Sequence, residues 1–288
     1  MSTDRKKLLA GGLAAVTFGF LYRHVFAKLV HDWWYDGNYS HGFLIVPIAV
    51  YLAWERRDRL AAVVTKPSLA GLLVVAGSLM VLLAGIFGSE LFLTRISIVG
   101  TVAGCVLFLF GWQWLRTLSF PLAFLLLMIP LPAIIFNQIA FPLQLLASQA
   151  GELTLRSVEI PVLREGNVLI LANTKLEVAE ACSGIRSLVS LLTLGIMVGY
   201  FTDPRAGVRL LIASSTIPVA IVANAARVAG TGIAAHRFGE GAAEGFFHEF
   251  SGWAVFIVAF LLMMLVQRVI VRLLPARPPS PAPAAVAS

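Results

Sequence analysis

Apolar runs long enough to cross a bilayer recur along the chain from Leu8 to Arg272, and their interiors hold almost no charge. A helix needs roughly 20 apolar residues to span the hydrocarbon core. This pattern alone predicts a polytopic membrane protein before any motif is considered. Only 13% of residues are charged and mean hydropathy is +0.87, against roughly 25% charged residues in soluble domains. A water-soluble fold has no place for so much apolar surface. The net charge of +7 must therefore be read by side of the membrane, and no nucleic-acid partner is expected. Two cysteines do not make a disulfide framework.

Taken in order, Arg5, Lys6 and Lys7 precede a first helix at 8–26. It resembles a signal peptide, but the many spans behind it favour an uncleaved helix. A polar and aromatic loop, Lys28–His41, leads to helix two at 42–55, followed by the run Glu55–Arg59. Helices three and four fall at 69–88 and 91–112 around a short Gly-Ser-Glu turn. Helix five falls at 117–136, where Pro121, Pro130 and Pro132 kink or end it. The one long connection, 137–181, begins as an amphipathic helix lying in the interface. It continues as a small β-hairpin, Val158–Val162 and Val168–Leu171, turning at Arg164-Glu165-Gly166-Asn167. A third strand, Lys175–Ala179, follows. Helix six covers 183–201, helix seven 208–229, a glycine-rich loop 230–250 and helix eight 251–272. The Pro/Ala-rich tail, 275–288, reads as disordered. The expectation is an all-α integral membrane protein of about eight transmembrane helices. One polytopic domain covers 1–274 and carries a small extracytoplasmic amphipathic-helix and β-hairpin insertion at 137–181.

Basic residues set the orientation. With the N-terminus inside, the cytoplasmic segments hold Arg5–Lys7, Arg56, Arg57, Arg59, Lys66, Arg116, Arg205, Arg209, Arg268, Arg272 and Arg277. These cluster in short loops and helix ends, where the positive-inside rule applies. Both termini and the tail are then cytoplasmic, and the 137–181 connection lies on the outer face.

That orientation brings three pieces to one depth. Cys182, within Leu176–Arg186 (LEVAEACSGIR), sits at the first turn of helix six. Free backbone N–H groups and the positive helix end favour a thiolate there, and Arg186 adds a cation one turn on. Glu180 opposes this, since a nearby carboxylate disfavours the thiolate. The cationic influences are expected to win and lower the Cys182 pKa. Asn224-Ala225-Ala226-Arg227 closes helix seven on the same side, and His248 lies just before Ser251-Gly252-Trp253. A thiol, a fixed cation and an imidazole are what acyl transfer by a cysteine requires. Each also has an ordinary reading. Small residues at a helix entry permit close packing, Arg227 can snorkel to the interface, and His248 can be a plain loop histidine. Together they read as a site.

ACSGIR at 181–186, NAAR at 224–227 and His248 before SGW resemble the signature set of the exosortase family. DGNYSHGFLIVPIAVYLAWERR at 36–57 resembles that family's N-terminal half, and the likeness runs over about residues 30–255. These are multi-span bacterial inner-membrane proteins that process C-terminal sorting signals of the PEP-CTERM type. The resemblance implies a membrane cysteine transpeptidase or protease with its active site facing the periplasm. Cys182 is its nucleophile, Arg227 the cationic partner and His248 the acid/base. No cofactor and no metal are expected. The partners implied are membrane-anchored substrates carrying a motif, an apolar helix and a basic tail, the bilayer itself, and an acceptor left unidentified. Glu180, Ser183, Gly184, Arg186 and Asn224 are candidate supporting or substrate-binding residues, as are Asn38 and His41.

Other groupings are weaker. His236, Glu240, Glu244 and His248 recur every four residues as metal-capable side chains, but Gly239, Gly241 and Gly245 argue against a helix there. His31, Asp32, Asp36 and His41 read better as part of an aromatic interface belt with Trp33, Trp34 and Tyr39. Cys105 lies deep in helix four and reads as core. Two rival functions stand beside the transpeptidase. One is a lipid-using acyltransferase working through a Cys182 thioester. The other is a transporter, disfavoured because ionisable residues sit at the rim rather than the midplane.

Overall fold

The first helix, α1 (Thr3–Tyr35), runs well past its expected end at residue 26. The structure is a computed structural model describing residues 3–172, 174–178, 184–239 and 246–275. The expected loop from Lys28 is helical because nothing breaks the backbone before Gly37, and because a charge pairing holds it. Asp32 takes Lys28 at 3.0 Å one turn back and the guanidinium of Arg95 from α5 (Leu91–Phe110). Lower on the same two helices, the Tyr22 hydroxyl meets Ser97 at 3.0 Å and Thr101 at 2.8 Å. Two non-local polar contacts therefore carry α1 to Tyr35.

The chain divides into two compact units, Met1–Asn137 and Gln138–Ser288. In the first, α2 (Gly42–Glu55) has the expected limits, and a short α3 (Arg57–Ala62) follows it. Helix α4 (Ala70–Phe87) and α5 form a tight antiparallel hairpin. A Cβ on Gly71 would lie 2.2 Å from the Phe108 backbone nitrogen, and one on Gly104 2.7 Å from Val75 Cγ2. Small residues let the two backbones approach, the usual route to tight helix contact in a bilayer.

Helix five is the largest departure. It appears as α6 (Trp112–Phe124), a 3₁₀ turn (Leu125–Met128), a break, and α7 (Ala133–Ser157). Pro121 is accommodated inside α6, whereas Pro130 and Pro132 end the run, and the two halves meet at 81°. The break exposes backbone carbonyls that need donors. Trp33 Nε1 donates to Met128 O at 3.0 Å, and His41 Nε2 reaches Leu127 O at 3.2 Å. The amphipathic segment expected from residue 137 is thus the body of α7, begun four residues earlier.

In the second unit, α7 ends by backbone chemistry that the strand pattern conceals. Glu159 takes φ +62°, its N–H bonds Arg156 O, and the Ile160 N–H bonds Leu155 O. Leu155 and Ile160 share one buried cluster. This is a Schellman closure with its apolar contact. It moves the first strand from the expected 158–162 to β1 (Val162–Glu165). A two-residue turn at Gly166-Asn167, with Gly166 at φ +64°, joins β1 to β2 (Val168–Leu171). Strand β3 (Lys175–Glu177) pairs on the far side of β2, so the sheet is a three-stranded antiparallel meander. Helix α7 cradles it. Arg164 Nε donates to Glu152 at 2.8 Å, and the Ser148 hydroxyl donates to Gly166 O at 2.9 Å.

Three helices complete this unit: α8 (Gly184–Thr202), α9 (Ala206–Phe238) and α10 (Phe246–Leu273). Helix α9 was expected to stop at 229. It passes through Gly230 and Gly232 and ends at Gly239, which takes φ +85°. Gly232 is retained because a Cβ there would meet Leu155 at 2.9 Å; packing overrides the low helix propensity of glycine. Helix α10 begins at 246 rather than 251 for the same reason that α1 overruns: no glycine or proline intervenes until Gly252. Among the described residues, five helices are long and apolar enough to cross a membrane, six if the bent pair counts as one span. Gly42–Glu55 and Leu188–Thr202 are shorter apolar helices. At 1.5 Å per residue α2 covers only about 21 Å, short of a core about 30 Å thick. Among the described residues the expectation of about eight helices is thus met by five or six full-length spans and two shorter apolar helices. The tail beyond 275 lies outside the described residues.

Candidate active site

Helices α8, α9 and α10 share one apolar core made of Leu191, Val219, Ala220, Ala223, Ala259 and Met263. Its register is fixed by small residues. A Cβ on Gly195 of α8 would lie 2.3 Å from Thr216 Cγ2 of α9 and 3.6 Å from the Met263 sulfur of α10. These three positions therefore lie at one level. Eleven residues are close to three helical turns and return to the same face. Moving up three turns on each helix, with α9 antiparallel to the other two, gives Gly184, Arg227 and Gly252. The top of this set is observed directly. A Cβ on Gly252 would lie 3.0 Å from Arg227 Nη2 and 3.3 Å from Cζ. The guanidinium thus lies over bare backbone of α10.

Two segments of the expected site adjoin this level. Gly184 opens α8, two residues after Cys182. His248 is on α10, one turn before Gly252 and on its face. Arg227 is 6% exposed. It lies about 32 Å along α9 from Ala206 at 1.5 Å per residue, which is the far edge of a hydrocarbon core about 30 Å thick. It does not close its helix as expected. Roughly three more turns project beyond it. Helix α8 begins at this level, at Gly184, so its N-terminal end adds a positive field there, the condition a thiolate or an oxyanion needs. The start of α10, at Phe246, lies about 9 Å beyond Gly252 at 1.5 Å per residue.

The meander is anchored beside Arg227. Leu176 of β3 and Val178 are buried in one cluster with Val228, the neighbour of Arg227. A Cβ on Gly151 would lie 2.6 Å from Val228 Cγ1, so α7 presses on α9 at the same place. The strand leading to Cys182 therefore starts from the flank of Arg227. Glu180, Cys182 and Ser183 lie outside the described residues, as do Glu240 and Glu244 and the side chains of Arg186 and His248. Asn224 is half-buried on α9, one turn short of Arg227. Among the described residues no group of three or more His, Cys, Asp or Glu is placed to hold a metal.

Asn38 and His41 belong to the first unit. The Asn38 N–H donates to Asp36 Oδ1 at 2.9 Å. His41 is engaged at the α6–α7 break, and its burial lowers the imidazole pKa against the backbone hydrogen bonds that raise it. Gly252 is the residue that sequence reasoning missed; its signal was a small residue three turns from the buried Met263.

Residues 33–265 match the family model described as Transmembrane exosortase. The chain belongs to the exosortase family. The matched range takes in α2, the broken α6–α7 pair, the meander and all of α8 and α9, and so includes Cys182, Arg227 and His248. Comparisons with curated proteins and with solved structures gave no match. This exosortase is a multi-pass membrane protein. Cys105 of α5 is a free, half-buried thiol on the wall of its helical hairpin.

Proposed function

We propose that this exosortase is a membrane cysteine transpeptidase or peptidase that cuts a C-terminal sorting signal on the outer face of the bacterial inner membrane. The observation that carries the reading is the guanidinium of Arg227 lying over Gly252, at the level to which helical register brings Gly184; Cys182 and His248 lie within one turn of these glycines in the sequence. The basic residues at the opposite helix ends, such as Arg205, Arg209 and Arg272, support the outward placement.

In this mechanism His248 takes the Cys182 proton, and the thiolate sulfur attacks the carbonyl carbon of the scissile amide. Charge collects on the carbonyl oxygen, where the planar fork of Arg227 offers two donors and the α8 N-terminus offers backbone N–H groups. The C–N bond breaks, the departing nitrogen takes the proton from His248, and an acyl thioester remains on Cys182. An acceptor, water or another nucleophile, then gives its proton to His248 and its electron pair to the thioester carbon, releasing the thiolate. The substrate is a membrane-anchored protein with a recognition motif, an apolar helix and a basic tail.

Two variants and intact mass spectrometry test this. Cys182→Ala is expected to abolish processing of a co-expressed sorting signal while the protein stays inserted. His248→Ala is expected to be slow without accumulating acyl-enzyme, because the leaving nitrogen lacks its proton. Near-normal processing by Cys182→Ala would sink the cysteine mechanism.

A further inference from the structure

The first unit holds a cleft that the cysteine chemistry does not use. It measures about 340 Å³ and lies between the last third of α1 and the tip of the α4–α5 hairpin. Its polar walls include His24, Lys28, Ser89 and Arg95, and its apolar walls include Val25 and Ile86. Arg95 is 2% exposed. One of its terminal nitrogens binds Asp32, while its Nε is buried without a hydrogen-bond partner. Lys28 makes one contact to Asp32, at 3.0 Å, and is half-exposed, so two of its three donors remain. Arg23 Nε donates to His24 Nε2 at 3.1 Å. That nitrogen is therefore the acceptor, and Nδ1 of the ring carries the proton. Asp32 offsets one of the two cations in the walls, which leaves one net positive charge. The Glu90 carboxylate caps α5 through the Phe92 N–H.

Depth selects the ligand. Helix α4 has 18 residues, about 27 Å at 1.5 Å per residue, so it crosses nearly the whole hydrocarbon core. Its tip at Gly88–Glu90 then lies at headgroup level. A cationic cleft with a buried unspent donor, apolar on one side and at that level, suits a phosphate ester with an acyl-bearing body. We infer that this cleft binds the phosphate of an anionic lipid headgroup, held by Lys28 and Arg95 with the apolar walls against the glycerol and upper chains. The inference is independent of the roles given to Cys182, Arg227 and His248.

The test uses the full chain in phosphatidylcholine nanodiscs doped with phosphatidylglycerol. Native mass spectrometry reads the lipid retained on ejection. The wild type is expected to retain phosphatidylglycerol preferentially, and Lys28→Ala to lower that retention about tenfold, the scale of one lost charge-assisted contact. Ser89→Asp guards against a folding artefact. Ser89 has φ +53°, a conformation that aspartate tolerates, and the new carboxylate repels phosphate while leaving Arg95 and Asp32 paired. It is expected to lower retention at least as far, with an unchanged thermal midpoint. In a second arm, inorganic phosphate is titrated into pure phosphatidylcholine nanodiscs. If phosphate stabilises the wild type but not Ser89→Asp, and phosphatidylglycerol retention is equal in all three proteins, the cleft takes free phosphate and the lipid assignment is overturned. Equal retention with no phosphate effect overturns it as well.

Discussion

Arg95 and Arg227 are both arginines within membrane-spanning helices, exposed by 2% and 6%, and their surroundings differ. Arg95 is pinned by a carboxylate. Asp32 reaches it from α1, and the pair ties two helices distant in sequence. Arg227 is set against bare backbone. Its guanidinium lies over Gly252, where an added Cβ would come within 3.0 Å of Nη2, at the level where α8 begins. An arginine beside a carboxylate spends part of its hydrogen-bonding capacity on architecture. An arginine laid over glycine lies flat on the backbone of α10, at the level where α8 begins.

The contrast predicts two different kinds of damage. Arg227→Lys keeps a charge but loses the planar fork. Processing is expected to fall by about 10²–10³, the scale of one lost oxyanion donor, with little change in thermal midpoint. Arg95→Met leaves Asp32 with Lys28 and His31 from its own helix and is expected to cost on the order of 2 kcal/mol of stability, read as a lower unfolding midpoint in detergent. A processing assay and a melting curve on both variants suffice. Were Arg227→Lys to lose stability and keep its rate, the two arginines would have the same structural role.

Gly252→Ala probes the contact itself. The new Cβ would sit 3.0 Å from Arg227 Nη2, tighter than a relaxed contact, so the guanidinium must shift. Processing is expected to fall about tenfold, the equivalent of ~1.4 kcal/mol, through the rate at saturating substrate rather than through its apparent affinity. Gly77→Ala, where an added Cβ meets nothing within 4 Å, is the matched control and is expected to be silent. A rate unaffected by Gly252→Ala would mean that the position of Arg227 is not set by α10.

Where the sequence was legible, one local rule governed. Helix α2 has its expected limits, and α4 and α5 fall within two residues of theirs, because each is an apolar run bounded by turn residues. The broken α6–α7 pair was foreshadowed by Pro130 and Pro132. Failures occurred where a distant contact overrode the local signal. Helix α1 continues because Asp32 meets Arg95, 63 residues on. Helix α9 continues past Gly230 and packs Gly232 against Leu155, which fills the space that a side chain at 232 would need. The strand after α7 shifts because Glu159, rather than a glycine, takes the left-handed turn. Of the proposed site, the motifs around Cys182, Arg227 and His248 were each recognisable. The meeting of Arg227 with Gly252 was not, since it follows from the Gly195, Thr216 and Met263 register three turns away.

The smallest expected effect lies at the other end of the same three helices. Asp203, in the α8–α9 turn, accepts from the Arg205 backbone at 2.8 Å and from its guanidinium at 2.9 and 2.7 Å. Arg205 also donates to Pro275 O at 3.2 Å, so this pair ties the end of α10 to the turn. Like Arg95 and Asp32, it spends charge on architecture, but outside the apolar helices. The hydrogen bonds from Arg205 lower the Asp203 pKa from 3.8 to about 2. The sign follows from proton binding: the unfolded chain takes up this proton first as pH falls. The stability contributed by Asp203 is therefore complete above about 3.8 and lost as pH falls through about 2. Asp203→Asn removes the ionised partner, so its thermal midpoint is expected to lie slightly below the wild type at neutral pH. The gap should close between pH 3.8 and about 2 and be absent below that. Melting curves of both proteins across this window measure it. A gap that stays constant to pH 2 would assign the contribution of Asp203 to its neutral hydrogen bonds, and the comparison with the Arg95 pair would lose its electrostatic half.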